Sequence, residues 1–159
     1  MCNEAVISLT EAEYLKFHVQ LLSNMIEAGL KPFIICTDKA DEAFAAEVNE
    51  HLQLEVLAPT TVDELFEKLQ SVDVVAARMH GIIASLLVGD VVLGLNWQNK
   101  VKSLSEKQLI NFPCFDFDFQ NIQLIISELQ NAKTNQSSEG IKGIFSELTS
   151  ELSALINKR

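Results

Sequence analysis

The stretch VVAARMHGIIASLLVGDVVLGLNWQNK, residues 74–100, decides the fold. The apolar, β-branched run at 72–77 is typical of a buried strand, and residues 81–88 are typical of the helix that follows it. A second apolar run at 91–96 predicts the next strand. Since short connections join these three segments, they predict a βαβ unit with two parallel strands.

The same alternation of apolar strands and helices extends over the sequence before residue 74. Further strands are predicted at 4–9, 31–36 and 54–59, and helices at 11–28, 37–52 and 60–71. Thr10 and Glu13 form a capping box at the start of the first helix. The pattern contains no hairpin and indicates an α/β fold, a three-layer α/β/α Rossmann-like domain with a mostly parallel sheet of five to six strands.

The sequence after residue 100 predicts the end of this domain. A short sixth strand is predicted at 113–119 and a helix at 121–130. We expect the Rossmann-like domain to span residues 1–132 and a polar loop to span 133–139. Residues 140–159 predict an amphipathic C-terminal helix that packs on the domain or on a partner.

The composition narrows the class of protein. The chain has 159 residues, of which 48% are hydrophobic and 21% charged, as in globular domains. Its net charge of −10 argues against general binding to nucleic acid and disfavours anionic membranes. No apolar run approaches the roughly 18 residues of a membrane span. The three widely spaced cysteines, Cys2, Cys36 and Cys114, predict free thiols and a cytoplasmic location.

Cationic residues follow two neighbouring strands of the predicted sheet. In open parallel sheets, ligands bind beyond the carboxyl ends of the strands. Arg78 offers a planar fork for a carboxylate or phosphate, and His80 and Gly81 open a helix whose N-terminus favours an anion. Lys100 adds a point charge after the next strand. These four residues predict an anion pocket.

A structural interpretation of the same residues stays open. Arg78 could pair with a surface carboxylate, and His80 could cap its helix. The remaining candidates favour structural roles, with His18 and His51 inside predicted helices and the two acids Asp116 and Asp118 on the polar face of an edge strand. No metal-ligand spacing, dinucleotide motif or nucleotide-triphosphate loop is present.

The segment from the strand through RMHG, the apolar helix, VVLGLNW and Lys100 resembles the C-terminal half of polysaccharide pyruvyl transferases. Members of that family typically show Arg-x-His, a helix that ends in Gly, and a strand followed by an aromatic residue and Lys. Arg78 and His80 fall on the family's Arg and His, Gly89 on the helix-ending Gly, and Lys100 on the Lys. The close match covers about thirty residues.

The resemblance implies a fold of two Rossmann-like domains, as in glycosyltransferases of the B type, of which this chain would supply the C-terminal one. It implies transfer of the enolpyruvyl group of phosphoenolpyruvate to a glycan acceptor of the cell surface, giving a pyruvate ketal. His80 would be the general acid, with Arg78, Gly81 and Lys100 binding the donor. No cofactor is implied, the isolated domain is expected to be inactive without its N-terminal partner domain, and a homodimer stays open.

Two features of the sequence depart from the family pattern. Thr10 follows the first strand where family members often carry an Arg, and Trp97-Gln98-Asn99 replaces the usual residues before the Lys. The alternatives are the sugar-nucleotide-binding half of a glycosyltransferase, and a diverged binding module without catalysis.

Overall fold

A computed structural model describes residues 10–96, 100–106 and 112–131 of the chain. The predicted strand at 4–9, the loop at 133–139 and the helix at 140–159 lie outside the described residues. The same holds for Trp97-Gln98-Asn99 and for the side chain of Lys100.

Five short strands alternate with helices along the described part of the chain. The strands are β1 Ile34–Ile35, β2 Val56–Leu57, β3 Val74–Ala76, β4 Val92–Leu95 and β5 Cys114–Phe115. The helices are α1 Glu11–Glu27, α2 Lys39–Asn49, α3 Val62–Leu69, α4 Met79–Val88, α5 Lys100–Ser105 and α6 Ile122–Asn131, with one 3₁₀ turn at Phe119–Asn121. The predicted α/β class is confirmed.

The strands form two small parallel sheets. β1 pairs with β2, and β4 lies between β3 and β5 in a three-stranded sheet. Every pair is parallel, as the absence of hairpin turns in the sequence predicts. Within the described ranges β1 and β3 are not paired, so one continuous sheet of five to six strands stays a prediction.

Local side-chain bonds fix where the first three helices begin. Thr10 caps α1 and forms the predicted box with Glu13, whose carboxylate accepts the Thr10 N–H at 2.9 Å. Asp38 and Asp41 form the same kind of box at α2. Thr61 caps α3, and its hydroxyl accepts the Glu64 N–H at 3.1 Å. These caps satisfy N–H groups that a helix leaves without internal partners.

Two apolar clusters cover the opposite faces of the three-stranded sheet. Val92 of β4 belongs to the cluster built from α3, α4 and α5. Its neighbours Val91, Leu93 and Leu95 belong to the other cluster, with α1 and α6. Because successive side chains of a strand point to opposite faces, helices must lie on both sides of β4.

Two of the element boundaries that differ from the sequence prediction have a local cause. The last strand ends at Phe115 and does not continue to residue 119. Asp118 accepts the Gln120 N–H at 2.9 Å and caps the 3₁₀ turn, which ends the extended chain. α4 begins at Met79, two residues earlier than the pattern at 81–88 predicts, because extended backbone continues only as far as Arg78.

Gly94 lies where β4 passes closest to its neighbours. A Cβ built there would lie 2.7 Å from Phe112 Cε2 and 2.9 Å from Val101 Cγ1. Both of these side chains are buried in the same cluster. A glycine is therefore required by packing at this point of a strand that is otherwise large and apolar.

We expect Gly94→Ala to lower the free energy of unfolding by about 1–3 kcal/mol, because the added methyl group overpacks the core. Urea denaturation of the full chain measures this change. Gly81→Ala is the matched control, since a Cβ there meets only Ala76 Cβ at 3.6 Å. That control should gain up to about 1 kcal/mol from the higher helix propensity of alanine. A Gly94→Ala variant as stable as wild type would contradict this account of the packing.

Candidate functional site

Arg78 stands at the carboxyl end of β3, as the N-cap residue of α4. Its guanidinium reaches to the start of α2, where Nη1 lies 2.7 Å from Asp38 Oδ2 and Nε lies 2.8 Å from Asp41 Oδ1. The Arg78 side chain is 49% exposed and those of Asp38 and Asp41 are 29% and 19% exposed. Arg78 therefore pairs with carboxylates, as the structural interpretation of this residue predicts.

The two carboxylates each serve both the helix cap and Arg78. Asp38 Oδ1 accepts the Asp41 N–H at 2.9 Å, while its Oδ2 accepts from Arg78. Asp41 Oδ2 accepts the N–H and the hydroxyl of Thr37 at 2.8 and 2.7 Å, while its Oδ1 pairs with Arg78. The cap of α2 therefore holds both acids in place, and formally one negative charge remains after pairing with Arg78.

His80 and Gly81 are the second and third residues of α4. The N-cap position belongs to Arg78, so the interpretation of His80 as the helix cap is wrong. Both residues are partly buried. The first helical hydrogen bond runs from Ile82 N–H to the Arg78 carbonyl at 3.1 Å, so the N–H groups of the turn before it point out of the helix at the carboxyl end of β3.

Lys100 is the first residue of α5, which follows β4. β4 lies beside β3, so this helix begins after the strand next to the one that carries Arg78. At the end of β4, Asn96 Nδ2 donates to Asp116 Oδ1 at 2.9 Å. Among the described residues Asn96 Oδ1 is buried without a donor. Among the described side chains, Arg78 is brought to Asp38 and Asp41.

A cavity of about 420 Å³ lies between β1 and β3. Its lining at the carboxyl ends of the strands is polar and consists of Tyr14, Thr37, Asp41, Arg78 and Gly81. Its interior is mostly apolar, with side chains from both strands and from α1, α3 and α6. A cavity of this size is in the range of small-molecule sites.

An aromatic cluster closes the cavity on the side of α1. The His18 ring lies 4.3 Å from the Tyr14 ring and 5.0 Å from the Phe44 ring, measured between centroids. His18 Nδ1 donates to the Tyr14 carbonyl at 2.9 Å. Burial lowers the pKa of His18 to about 4, although this hydrogen bond acts in the opposite direction. His18 is therefore neutral at pH 7 and packs as an aromatic side chain.

Tyr14 couples this cluster to the ion pairs. Burial raises the pKa of Tyr14 to about 12, with Arg78 acting to lower the pKa and Asp41 acting to raise it. The hydroxyl therefore stays protonated at physiological pH, and Tyr14 lines the cavity together with Arg78 and Asp41.

Sequence reasoning missed the roles of Asp38, Asp41 and Tyr14 at this site. The first two were recognisable as an acidic first turn after the strand at 31–36. Carboxyl ends of parallel strands share one edge, so an acidic helix cap there can meet a cation from another strand. Tyr14 gave no comparable indication, because its position in α1 matters only once that helix packs beside the edge.

The remaining sequence candidates have structural surroundings. His51 is exposed beyond the end of α2, while Asp116 accepts from Asn96 and Asp118 caps the 3₁₀ turn. Within residues 10–96, 100–106 and 112–131, no three His, Cys, Asp or Glu side chains gather in a way that could hold a metal ion. In the same ranges no helix combines the length and hydropathy that crossing a membrane requires.

Comparisons of the chain with protein-family models, with curated proteins and with solved structures find no match. The resemblance to polysaccharide pyruvyl transferases therefore rests on the sequence at 72–100 alone. Function has to be argued from the chemistry at the end of β3.

We expect acid to destabilise the fold through His18. The folded-state pKa is lowered from 6.5 to about 4, so the unfolded chain binds a proton on this imidazole that the folded chain does not. The contribution of His18 to the free energy of unfolding is therefore complete above pH 6.5 and falls as the pH drops towards 4. Below pH 4 it is lost, and the loss amounts to roughly 3 kcal/mol at most. Denaturation with urea at several pH values between 7 and 4 measures this loss.

His18→Gln removes the titrating ring, so its free energy of unfolding should depend less on pH over this interval than that of wild type. Met25→Leu is the control, because it alters a buried, uncharged side chain of the same helix and should keep the wild-type pH dependence. Equal pH dependence in His18→Gln and wild type would show that His18 titrates alike in the folded and unfolded chains.

Proposed function

We propose that the chain is the C-terminal, Rossmann-like domain of a polysaccharide pyruvyl transferase-like protein and binds phosphoenolpyruvate at the carboxyl edge of its sheet. In this proposal the described strands belong to one parallel sheet of five to six strands in a three-layer fold. One observation carries the proposal: Arg78 and Gly81 line the polar end of a cavity at the carboxyl end of β3, and His80 stands between them in the chain, in the first turn of α4.

The chemistry of phosphoenolpyruvate suits this edge of the sheet. The ligand carries a carboxylate and a phosphate, and a guanidinium binds either group through two parallel hydrogen bonds. The N-terminus of α4 offers N–H groups and the positive end of a helix dipole for the other anion. Lys100 is proposed as an accessory charge from the start of α5.

The ion pairs of Arg78 set a condition on this binding. The guanidinium already contacts Asp38 through Nη1 and Asp41 through Nε, so an incoming anion competes with these carboxylates for its donors. Since Arg78 is half exposed, such an exchange needs a side-chain rotation and no rearrangement of the core. We therefore expect weak affinity in the isolated chain, with the two acids competing against the donor.

His80 is proposed as the general acid of the transfer. A proton from its imidazole would pass to the methylene carbon of phosphoenolpyruvate, which becomes the methyl group of the product. The carbon that bore the phosphate forms bonds to two sugar oxygens, and its bond to the phosphate oxygen breaks. One hydroxyl proton returns to the imidazole and the other leaves with the phosphate, so the step balances. The sugar acceptor would be bound by the N-terminal domain of such an enzyme.

A second candidate is a binding module without catalysis. It is favoured by the full pairing of Arg78 with two carboxylates, and by Thr10 at the position where the family often has an Arg. Such a module would bind neutral, hydroxyl-rich ligands better than anions, because the three charged groups leave one negative charge. A sugar-nucleotide-binding half is the third alternative.

We expect saturable binding of phosphoenolpyruvate to the full chain, measured by chemical-shift titration at constant ionic strength. Arg78→Gln should weaken this binding by about 10-fold or more, because a charge-assisted contact is lost. Asp38→Asn should strengthen it, because asparagine caps a helix about as well as aspartate but no longer neutralises Arg78. Lys68→Gln removes a positive charge from an exposed position of α3 and should leave the affinity unchanged.

Three results would contradict the proposal. These are no saturable shift at Arg78 or His80 in wild type, equal binding by Arg78→Gln, and an effect of Lys68→Gln as large as that of Arg78→Gln. Saturable shifts at the same residues with a sugar nucleotide, and none with phosphoenolpyruvate, would assign the edge to the glycosyltransferase class. A response to free sugars alone would favour the binding module.

A further inference from the structure

Two strand edges face the cavity between the sheets. Residues 33–35, including β1, line one side, and residues 72–77, including β3, line the other. Each strand is paired on its far side, β1 with β2 and β3 with β4. The sides of β1 and β3 that face each other are therefore separated by the cavity.

The backbone directions of these edges follow from the pairing. Ile34 and Cys36 donate their N–H groups towards β2, at 2.9 and 2.8 Å from the carbonyls of Glu55 and Leu57. Alternation along a strand then directs the N–H and carbonyl of Ile35 into the cavity. Val74 donates towards β4, so the backbone groups of Val75 point into the cavity from the opposite side.

Helices enclose the cavity from both faces of the sheets. Leu22 and Met25 of α1 and Leu129 of α6 line one face, and Leu65 and Leu69 of α3 line the other. These two groups belong to the clusters that cover the opposite faces of β4. The space between β1 and β3 therefore has the surroundings of a central strand of a parallel sheet, which is apolar on both faces.

We infer that residues 4–9, EAVISL, occupy this space as a strand parallel to both β1 and β3. The position at which α1 begins identifies the segment before it as the occupant of the cavity. Tyr14, in the first turn of α1, lines the cavity together with Thr37 and Arg78, which follow the carboxyl ends of β1 and β3. A strand that ends just before Thr10 therefore ends at the correct edge, and its direction is parallel to that of its two neighbours.

The length and composition of the segment match the space. Six residues of strand extend roughly 20 Å, and the cavity lining along β3 also covers six residues, 72–77. Residues 5–9 are apolar or small on both alternating faces, as a strand buried on both sides requires. The result is one sheet of order β2, β1, residues 4–9, β3, β4, β5. In this order every connection can have the usual right-handed crossover, with α1 on one face of the sheet and α3 and α4 on the other.

This inference does not depend on the proposed function, but it affects the same edge of the sheet. The strand fills the apolar interior and leaves the polar end of the cavity, with Arg78 and Asp41, as the place for a small ligand. The end of the new strand and the end of β3 would then be neighbours from which the helices α1 and α4 leave on opposite faces. In open parallel sheets this switch in direction is where ligands bind.

Backbone contacts measured by NMR on the full chain test the inference directly. We expect nuclear Overhauser contacts from the backbone of residues 5–9 to Ile35 and to Val75, within one molecule. We also expect the amide hydrogens of Ile35 and Val75 to exchange at least about 100-fold more slowly than in the unfolded chain. Contacts seen only between differently labelled copies would instead assign the space to a second chain, and would overturn the inference. Rapid exchange of both amides, with no such contacts, would overturn it as well.

A pair of variants tests the same point through stability. Ile7→Asp places an unpaired charge at the centre of the proposed strand and should raise the equilibrium constant for unfolding by about 100-fold or more. Asn3→Asp adds the same charge just outside the strand and should change that constant by less than about 3-fold. Equal effects of the two substitutions would overturn the inference, because both would then be exposed. Absence of phosphoenolpyruvate binding in the wild-type chain, with these results as expected, would overturn the proposed function and leave this inference intact.

Discussion

The burial of β4 on both faces is the constraint on which the rest of the structure depends. Val92 packs under α3 and α4, while Leu93 packs on α1 and α6. A parallel strand in this position needs helices on each side and a crossover connection to every neighbour. The carboxyl ends of β3, β4 and β5 therefore lie on one edge, and there Arg78 after β3 meets Asp38 and Asp41 after β1, although 40 residues separate Arg78 from Asp38 along the chain.

Asp38 and Asp41 each cap or support the start of α2 and pair with Arg78 in the same conformation. One oxygen of each carboxylate accepts hydrogen bonds at the start of α2, and the other oxygen is presented to Arg78. Helix capping therefore orients the partners of the only described cation at the end of β3. If the proposed donor site is present, its affinity for anions would depend on this capping motif as well as on the number of positive charges.

Much of the fold could be predicted from the sequence, because the decisive interactions are local. The box between Thr10 and Glu13 and the parallel order of the strands depend on neighbours a few residues apart or on simple periodicity. The predicted end of the last strand was wrong, because Asp118 accepts a hydrogen bond from the Gln120 N–H and caps a 3₁₀ turn there, which the alternation of residues does not reveal. The acidic first turn of α2 was recognisable, but its pairing with Arg78 was not predicted, since that pairing depends on which strand ends become neighbours in space.

The Arg78 ion pairs have a consequence for how the molecule opens. Within each sheet the paired strands lie roughly twenty residues apart in sequence, so each half can assemble from contacts of moderate range. At the carboxyl edge, ion pairs join half-exposed Arg78 to two partly buried carboxylates, Asp38 and Asp41, and salt weakens such pairs. Raised ionic strength should therefore favour local opening at the start of α2 before either sheet comes apart, so that proteolytic sensitivity would first appear there.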